Sequence, residues 1–241
     1  MEMQKPRQSS NPLLDRALDV VWNDVNGYYQ GAQIPTTDEP LMSEWNENGI
    51  RKFDLEIGQS GFRSQHDADN LAASMELTLM VKGAGPANVR NQIVECFSEI
   101  ANNAVQHSEA NGECYGTLYY RNEGLAQGGP AVFSIGIADK GIGIRNALMM
   151  NENNLTHLNS SSDAEVIDYA TQFGVTGTDE DRGVGLFTVR EVVEQFRGKL
   201  QIVSGNGSLT ISDNTVELLD ENFLLEGTVV LLALYVPPTN S

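Results

Sequence analysis

Hydrophobic positions recur along the chain with two different periods, and the places where one gives way to the other outline the fold. Leu14, Leu18, Val21, Val25 and Tyr28 fall three or four apart, which predicts an amphipathic helix over 13–29. Residues 30–70 are rich in Gly, Pro, Asn, Asp and Ser with little periodicity, so they read as irregular connection with one short strand at 51–57. From Ala73 the pattern becomes a two-residue alternation. Met75, Leu77, Leu79 and Val81 alternate with Glu76, Thr78 and Met80, predicting a half-buried strand that opens the core domain. Gly85-Pro86 then offers a helix start, and Ile93, Phe97, Ile100, Ala101, Ala104 and Val105 form the apolar stripe of a helix running through residue 108.

Strands follow near 114–120, 131–138, 199–204, 208–212 and 228–236. The last, Thr228 to Val236, is almost wholly apolar and belongs in the middle of a sheet. Residues 145–181 carry an Asn/Ser-rich stretch and one helical run near Asp163–Phe173; a connection of that length signals a functional lid or disorder. The element order is α+β, with helices covering one face of a mixed sheet.

Charge and composition narrow the possible partners. Acidic residues outnumber Lys and Arg 33 to 15, a formal charge of −18 that argues against nonspecific binding to nucleic acid or to anionic membranes. No apolar run approaches the length of a membrane span, and the amino terminus lacks the apolar core of a secretory signal, so a cytoplasmic location is expected. Cys96 and Cys114 are too few for a disulfide framework and no CxxC or HExxH spacing is present, so both are read as small buried residues.

Three short motifs carry candidate chemistry. On the helix before residue 108, Glu95, Glu99, Asn103 and His107 lie four apart on the face opposite the apolar stripe. Alone, that stripe reads first as the wet face of an ordinary helix; functionally, Asn103 offers magnesium an oxygen ligand and Glu99 can orient or deprotonate a water. Asp139 ends the strand 131–138. Its carboxylate suits the exocyclic amine of adenine, with Gly141 and Gly143 allowing close backbone approach, although Asp139-Lys140-Gly141 is also a common turn. Gly183 and Gly185 precede the stripe Leu186, Val189, Val193 and Phe196, so they open a helix whose free N–H groups and dipole favour phosphate. Arg182 and Arg190 either add positive charge there or are solvated surface residues.

In order and spacing, these motifs resemble the N, G1 and G2 boxes of the GHKL superfamily: gyrase B, the heat-shock-90 chaperone, histidine kinases and MutL. The N box appears as Glu99 through His107, the G1 box as Asp139, Gly141 and Gly143 with Ile144, and the G2 box as Arg182, Gly183, Val184, Gly185 and Leu186; Gly227-Thr228 matches a fourth feature. The resemblance implies a Bergerat fold, a two-layer α/β sandwich with a mostly antiparallel sheet that binds ATP and magnesium. It implies Asp139 on adenine, Asn103 on magnesium, with Glu99 able to act there through water, Thr228 near the base, and His107 in the site. It divides the chain into an N-terminal extension over 1–72, an ATP-binding domain over 73–236 with a lid at 145–182, and a tail at 237–241. The lid looks most like that of stand-alone prokaryotic regulators.

Departures limit what the resemblance carries. His66-Asp67-Ala68-Asp69-Asn70 lacks the basic residue and proline of a histidine-kinase phosphoacceptor, and no second domain is large enough to be the transducer of gyrase or MutL. Residues 205–226 form an insertion relative to many kinases, read as an extra hairpin. Two functions stay open. One is an enzyme that hydrolyses ATP through Glu99 or passes its terminal phosphate to a protein; the other is an ATP-dependent interaction module for an anti-sigma-type or STAS-type regulator, with little turnover. The helix at 13–29 either packs on its own sheet or pairs with a partner or a second copy of the chain.

Overall fold

A computed structural model describes residues 12–29, 53–56, 64–81, 86–108, 114–122, 131–177 and 184–236. Helix α1 (Pro12–Tyr29) is followed by strand β1 (Phe53–Glu56), then by helices α2 (Gln65–Val81) and α3 (Ala87–His107). Next come β2 (Cys114–Asn122) and β3 (Ala131–Asp139), the short helices α4 (Gly143–Met149), α5 (Leu155–Leu158) and α6 (Asp163–Ala170), helix α7 (Gly185–Gln195), and the strands β4 (Lys199–Ser212) and β5 (Thr215–Val236). The sheet runs in the order β1-β2-β3-β5-β4. Every described pairing is antiparallel, so the expected mixed sheet resolves to its antiparallel part, with β5 in an interior position. Among the described residues no helix is long and apolar enough to cross a membrane.

Strand alternation explains how the sheet meets its helices. Phe133, Ile135 and Ile137 of β3 and Val230, Leu232 and Leu234 of β5 point to one side, where they join Ile93, Phe97 and Ile100 of α3 in the main core. Val132, Val229, Leu231 and Ala233 point the other way and are covered by Leu14, Leu18 and Val21 of α1. The N-terminal helix therefore packs on its own sheet, adding a third layer to the two-layer sandwich. Lys199, only 1% exposed, reaches from this face of β4 to Asp15 of α1 at 2.8 Å.

Residues 73–81, expected as a strand, are the second half of helix α2. The buried positions are Ala68, Ala72, Met75 and Leu79, steps of four, three and four, whereas Leu77 and Met80 are 57% and 55% exposed. The alternation seen from Met75 onward is a short window of a helical stripe that begins earlier, and α2 lies along α3 rather than in the sheet.

The strands expected at 199–204 and 208–212 are a single strand, with irregular pairing to β5 at Gly205 and Gly207. The supposed insertion 205–226 forms the outer half of the β4–β5 hairpin. Its two-residue turn, Asp213-Asn214, has φ of 53° and 59°, the left-handed values a tight hairpin with native twist requires. Gly207 lets α6 lie against this extension, since a Cβ there would stand 2.2 Å from the Ala164 nitrogen.

The segment expected as lid or disorder is, through Gly177, a packed helical layer. Leu148, Leu158, Val166 and Ala170 form a core of their own, and Arg145 of α4 binds Asp163, the Leu158 carbonyl at 2.8 Å and the Ser161 carbonyl at 2.7 Å. The asparagines that give the stretch its loop-like composition are structural. Asn154 Nδ2 donates to the carbonyls of Leu148 and Thr176 at 3.0 and 2.9 Å, and Asn151 Nδ2 also donates to Thr176.

Candidate functional site

The inward row of β3 runs Phe133, Ile135, Ile137 and then Asp139, so a carboxylate takes the place of the next apolar side chain at the strand's end. Strand register sets this residue in a row with Cys114 of β2, Thr228 of β5 and Ser204 of β4. Asp139 is 4% exposed, and its Oδ1 accepts from the Gly141 amide at 2.8 Å. Burial pushes its pKa up to about 7, opposed by the backbone donors of Gly141 and Thr228.

Above this row lies a cavity of about 890 Å³, within the range of small-ligand sites. Its floor is apolar, with Ile137, Ile100 and Val230, as the flat face of a base requires. Asp139, Gly143, Ile144 and Thr228 line it from the sheet and the turn into α4, while Glu99, Asn103 and His107 line it from α3. Val184, Gly185 and Leu186 supply the start of α7. Ten of the expected site residues thus meet at one cavity. Arg182 and Gly183 lie outside the described residues.

Gly141 and Gly143 also serve the packing of the turn itself. A Cβ on Gly141 would stand 1.9 Å from the His107 carbonyl oxygen, so the glycine lets the chain cross the end of α3, where Ile142 N also donates to that oxygen at 3.0 Å. Gly143 has φ +76° and faces Ser204. Ser204 itself carried no signal in the sequence. Its hydroxyl accepts from Ile144 N at 3.0 Å and donates to the Gly227 carbonyl at 2.9 Å, holding the turn into α4 against β5.

At the other end, Gly185 brings the start of α7 against α3. A Cβ on it would lie 2.7 Å from Glu99 Oε2 and 3.4 Å from Asn103 Nδ2. Glu99 has its pKa raised by burial and then by the neighbouring Glu95 carboxylate, and His107 has its pKa lowered by burial, which keeps the imidazole neutral near pH 7. Arg190 does not face the phosphate end. It binds Asp168 at 3.0 Å, Thr171 Oγ1 at 2.8 Å and Glu194 at 3.1 Å, and so ties α7 to α6. The two cysteines are buried, their thiols pushed up to about 12 and about 11.

The donor set suits a magnesium ion that arrives with a triphosphate. Among the described residues no three His, Cys, Asp or Glu side chains converge as a metal cage. Magnesium characteristically keeps waters and phosphate oxygens and takes only one or two protein ligands, which Asn103 and Glu99 are placed to offer.

A comparison with curated proteins finds no match to the chain. The family described as Histidine kinase-, DNA gyrase B-, and HSP90-like ATPase matches residues 88–234, which include α3, Asp139, the start of α7 and Thr228. With its motifs meeting at one cavity of nucleotide size, the chain belongs to the histidine kinase-, DNA gyrase B- and HSP90-like ATPases and is an ATP-binding protein.

Proposed function

We propose that the protein is a magnesium-dependent enzyme that cleaves the terminal phosphoanhydride of ATP, by hydrolysis or by transfer to a regulatory protein partner in the cytoplasm. The observation that carries this reading is the juxtaposition of Glu99 and Asn103 with the start of α7. Asp139 accepts the adenine amine, Thr228 lies beside the base, and the first N–H groups of α7 receive phosphate oxygens. Asn103 would hold magnesium through Oδ1, and the metal would neutralise phosphate charge when bound. Glu99, its pKa raised by burial and then by the Glu95 carboxylate, takes the proton of the attacking water. The water oxygen bonds to the terminal phosphorus as the bond to the bridging oxygen breaks, and ADP leaves with that electron pair. In the transfer variant a partner side chain replaces the water.

A lid over residues 145–182 belongs to the same reading; its described part, through Gly177, packs as one wall of the cavity. Phosphate release from ATP with magnesium, compared between wild type and Glu99→Ala, tests the proposal. Loss of release with ATP affinity retained supports it, and absence of release or transfer by the wild type overturns it.

A second reading, an ATP-dependent interaction module for an anti-sigma-type or STAS-type regulator, is favoured by exposed apolar side chains near the cavity. Met150 and Val184 line it yet are 67% and 44% exposed, and Phe173, 72% exposed, stands edge-on to Phe187 of α7. Nucleotide-dependent capture of such a regulator without turnover distinguishes it. A homodimer through α1 would need a face other than Leu14, Leu18 and Val21, which are buried on the sheet.

A further inference from the structure

Helix α2 lies outside the segment that matches the ATPase family, yet its first residue, Gln65, lines the nucleotide cavity. Its place is fixed by a reciprocal cap, in which Ser64 N donates to Asp67 Oδ2 at 3.1 Å and Asp67 N donates to Ser64 Oγ at 3.2 Å. The Gln65 amide nitrogen donates to Asp69 Oδ1, one turn on, at 3.0 Å, and also to Asn102 Oδ1 on α3. Asn102 lines the cavity as well and directly precedes Asn103. Below this contact, Ala68, Ala72, Met75 and Leu79 of α2 are buried in the same core as α3. The two helices are therefore joined at the cavity by a side-chain hydrogen bond and beneath it by a continuous apolar seam.

Resting on the ATP reading above, we propose that Gln65 is a positioning residue of the nucleotide site supplied by the N-terminal extension. It holds Asn102, and with it the Asn103 turn of α3, and it passes the occupancy of the site to the first turn of α2. Gln65 is exposed and sits at a helix start, so its replacement leaves the core untouched.

The full chain is titrated with ATP and magnesium as wild type, Gln65→Ala, Asn102→Ala and the double variant, and backbone hydrogen exchange is followed with and without ATP. Each single variant is expected to weaken ATP binding about 3- to 10-fold, the loss of one neutral hydrogen bond. The double variant is expected to be no weaker than the poorer single one. ATP is expected to slow exchange over residues 65–69 in wild type and not in Gln65→Ala; a merely structural contact would lower thermal stability without that ATP-dependent difference. Wild-type affinity in Gln65→Ala, additive losses in the double variant, or exchange in α2 indifferent to ATP would each overturn the inference while leaving the ATP site intact. Failure of the wild type to bind ATP would overturn the site assignment itself.

Discussion

At the sheet end of the cavity Asp139 is buried, its oxygen held by the Gly141 amide, while the glycines beside it leave no room for a side chain: a Cβ on Gly141 or Gly227 would stand 1.9 or 2.0 Å from backbone oxygen. At the helix end Glu99 is only half-buried, and what a Cβ on Gly185 would meet is the carboxylate tip itself, at 2.7 Å. One end is braced by backbone that cannot give, the other by a side chain that can turn. Recognition of a base gains from a rigid, finished surface, whereas a group that handles a proton and a departing phosphate gains from an arrangement the ligand completes.

Substitutions sharpen or break this contrast. The largest effect is expected from Glu99→Ala, which should cut turnover by about 10²–10⁴-fold, the usual worth of a general base, with ATP affinity changed little. A similar loss of affinity would mean that Glu99 belongs to the binding half. Gly141→Ala forces a methyl into the His107 carbonyl and should cost about 3 kcal/mol or more in denaturant unfolding, whereas Gly185→Ala should cost far less and instead disturb turnover. Equal stability losses at the two glycines would erase the distinction. Asp139→Asn should weaken ATP binding by about 10- to 100-fold, the range for a hydrogen bond to a charged group, read by calorimetric titration. Unchanged affinity would move the base elsewhere.

The last effect is one of pH. Asp139 has a pKa raised from 3.8 to about 7, so between those values the native state binds a proton that the unfolded chain has released. Its contribution to stability is full below about pH 4 and is lost as pH rises through about 7, with a slope of at most about 1.4 kcal/mol per pH unit. Over the same rise the carboxylate that accepts the adenine amine is formed, so ATP affinity should increase while unfolding becomes easier. Asp139→Asn should flatten both profiles; a wild-type melting temperature that rises from pH 5 to 8 in step with that of the variant would contradict the assignment.

Much of the site was legible in sequence because it rests on local periodicity. The four-residue spacing of Glu99, Asn103 and His107 and the position of Asp139 at the end of an alternating strand needed no knowledge of distant contacts. What escaped depended on partners far along the chain. Ser204 is an unremarked strand residue until β5 and the turn into α4 close around it, and Gln65 has no meaning without Asn102, 37 positions away. Helix α2 reads as a strand in sequence because half of its apolar stripe consists of alanines, which mark periodicity faintly beside leucine and methionine. The asparagines at 151 and 154 resembled loop residues because their buried hydrogen bonds go to backbone carbonyls that composition cannot reveal.

The ion pair beneath α1 bears on where this protein can be cut. Lys199 lies inside the stretch shared with the family, but Asp15, which it reaches across the far face of the sheet, lies outside it. A fragment trimmed to the shared stretch would uncover Val229, Leu231 and Ala233 and leave an ammonium group that had been 99% shielded without this carboxylate. The packed unit therefore extends beyond the stretch shared with the family, and an excised ATPase segment is expected to aggregate where the longer chain does not.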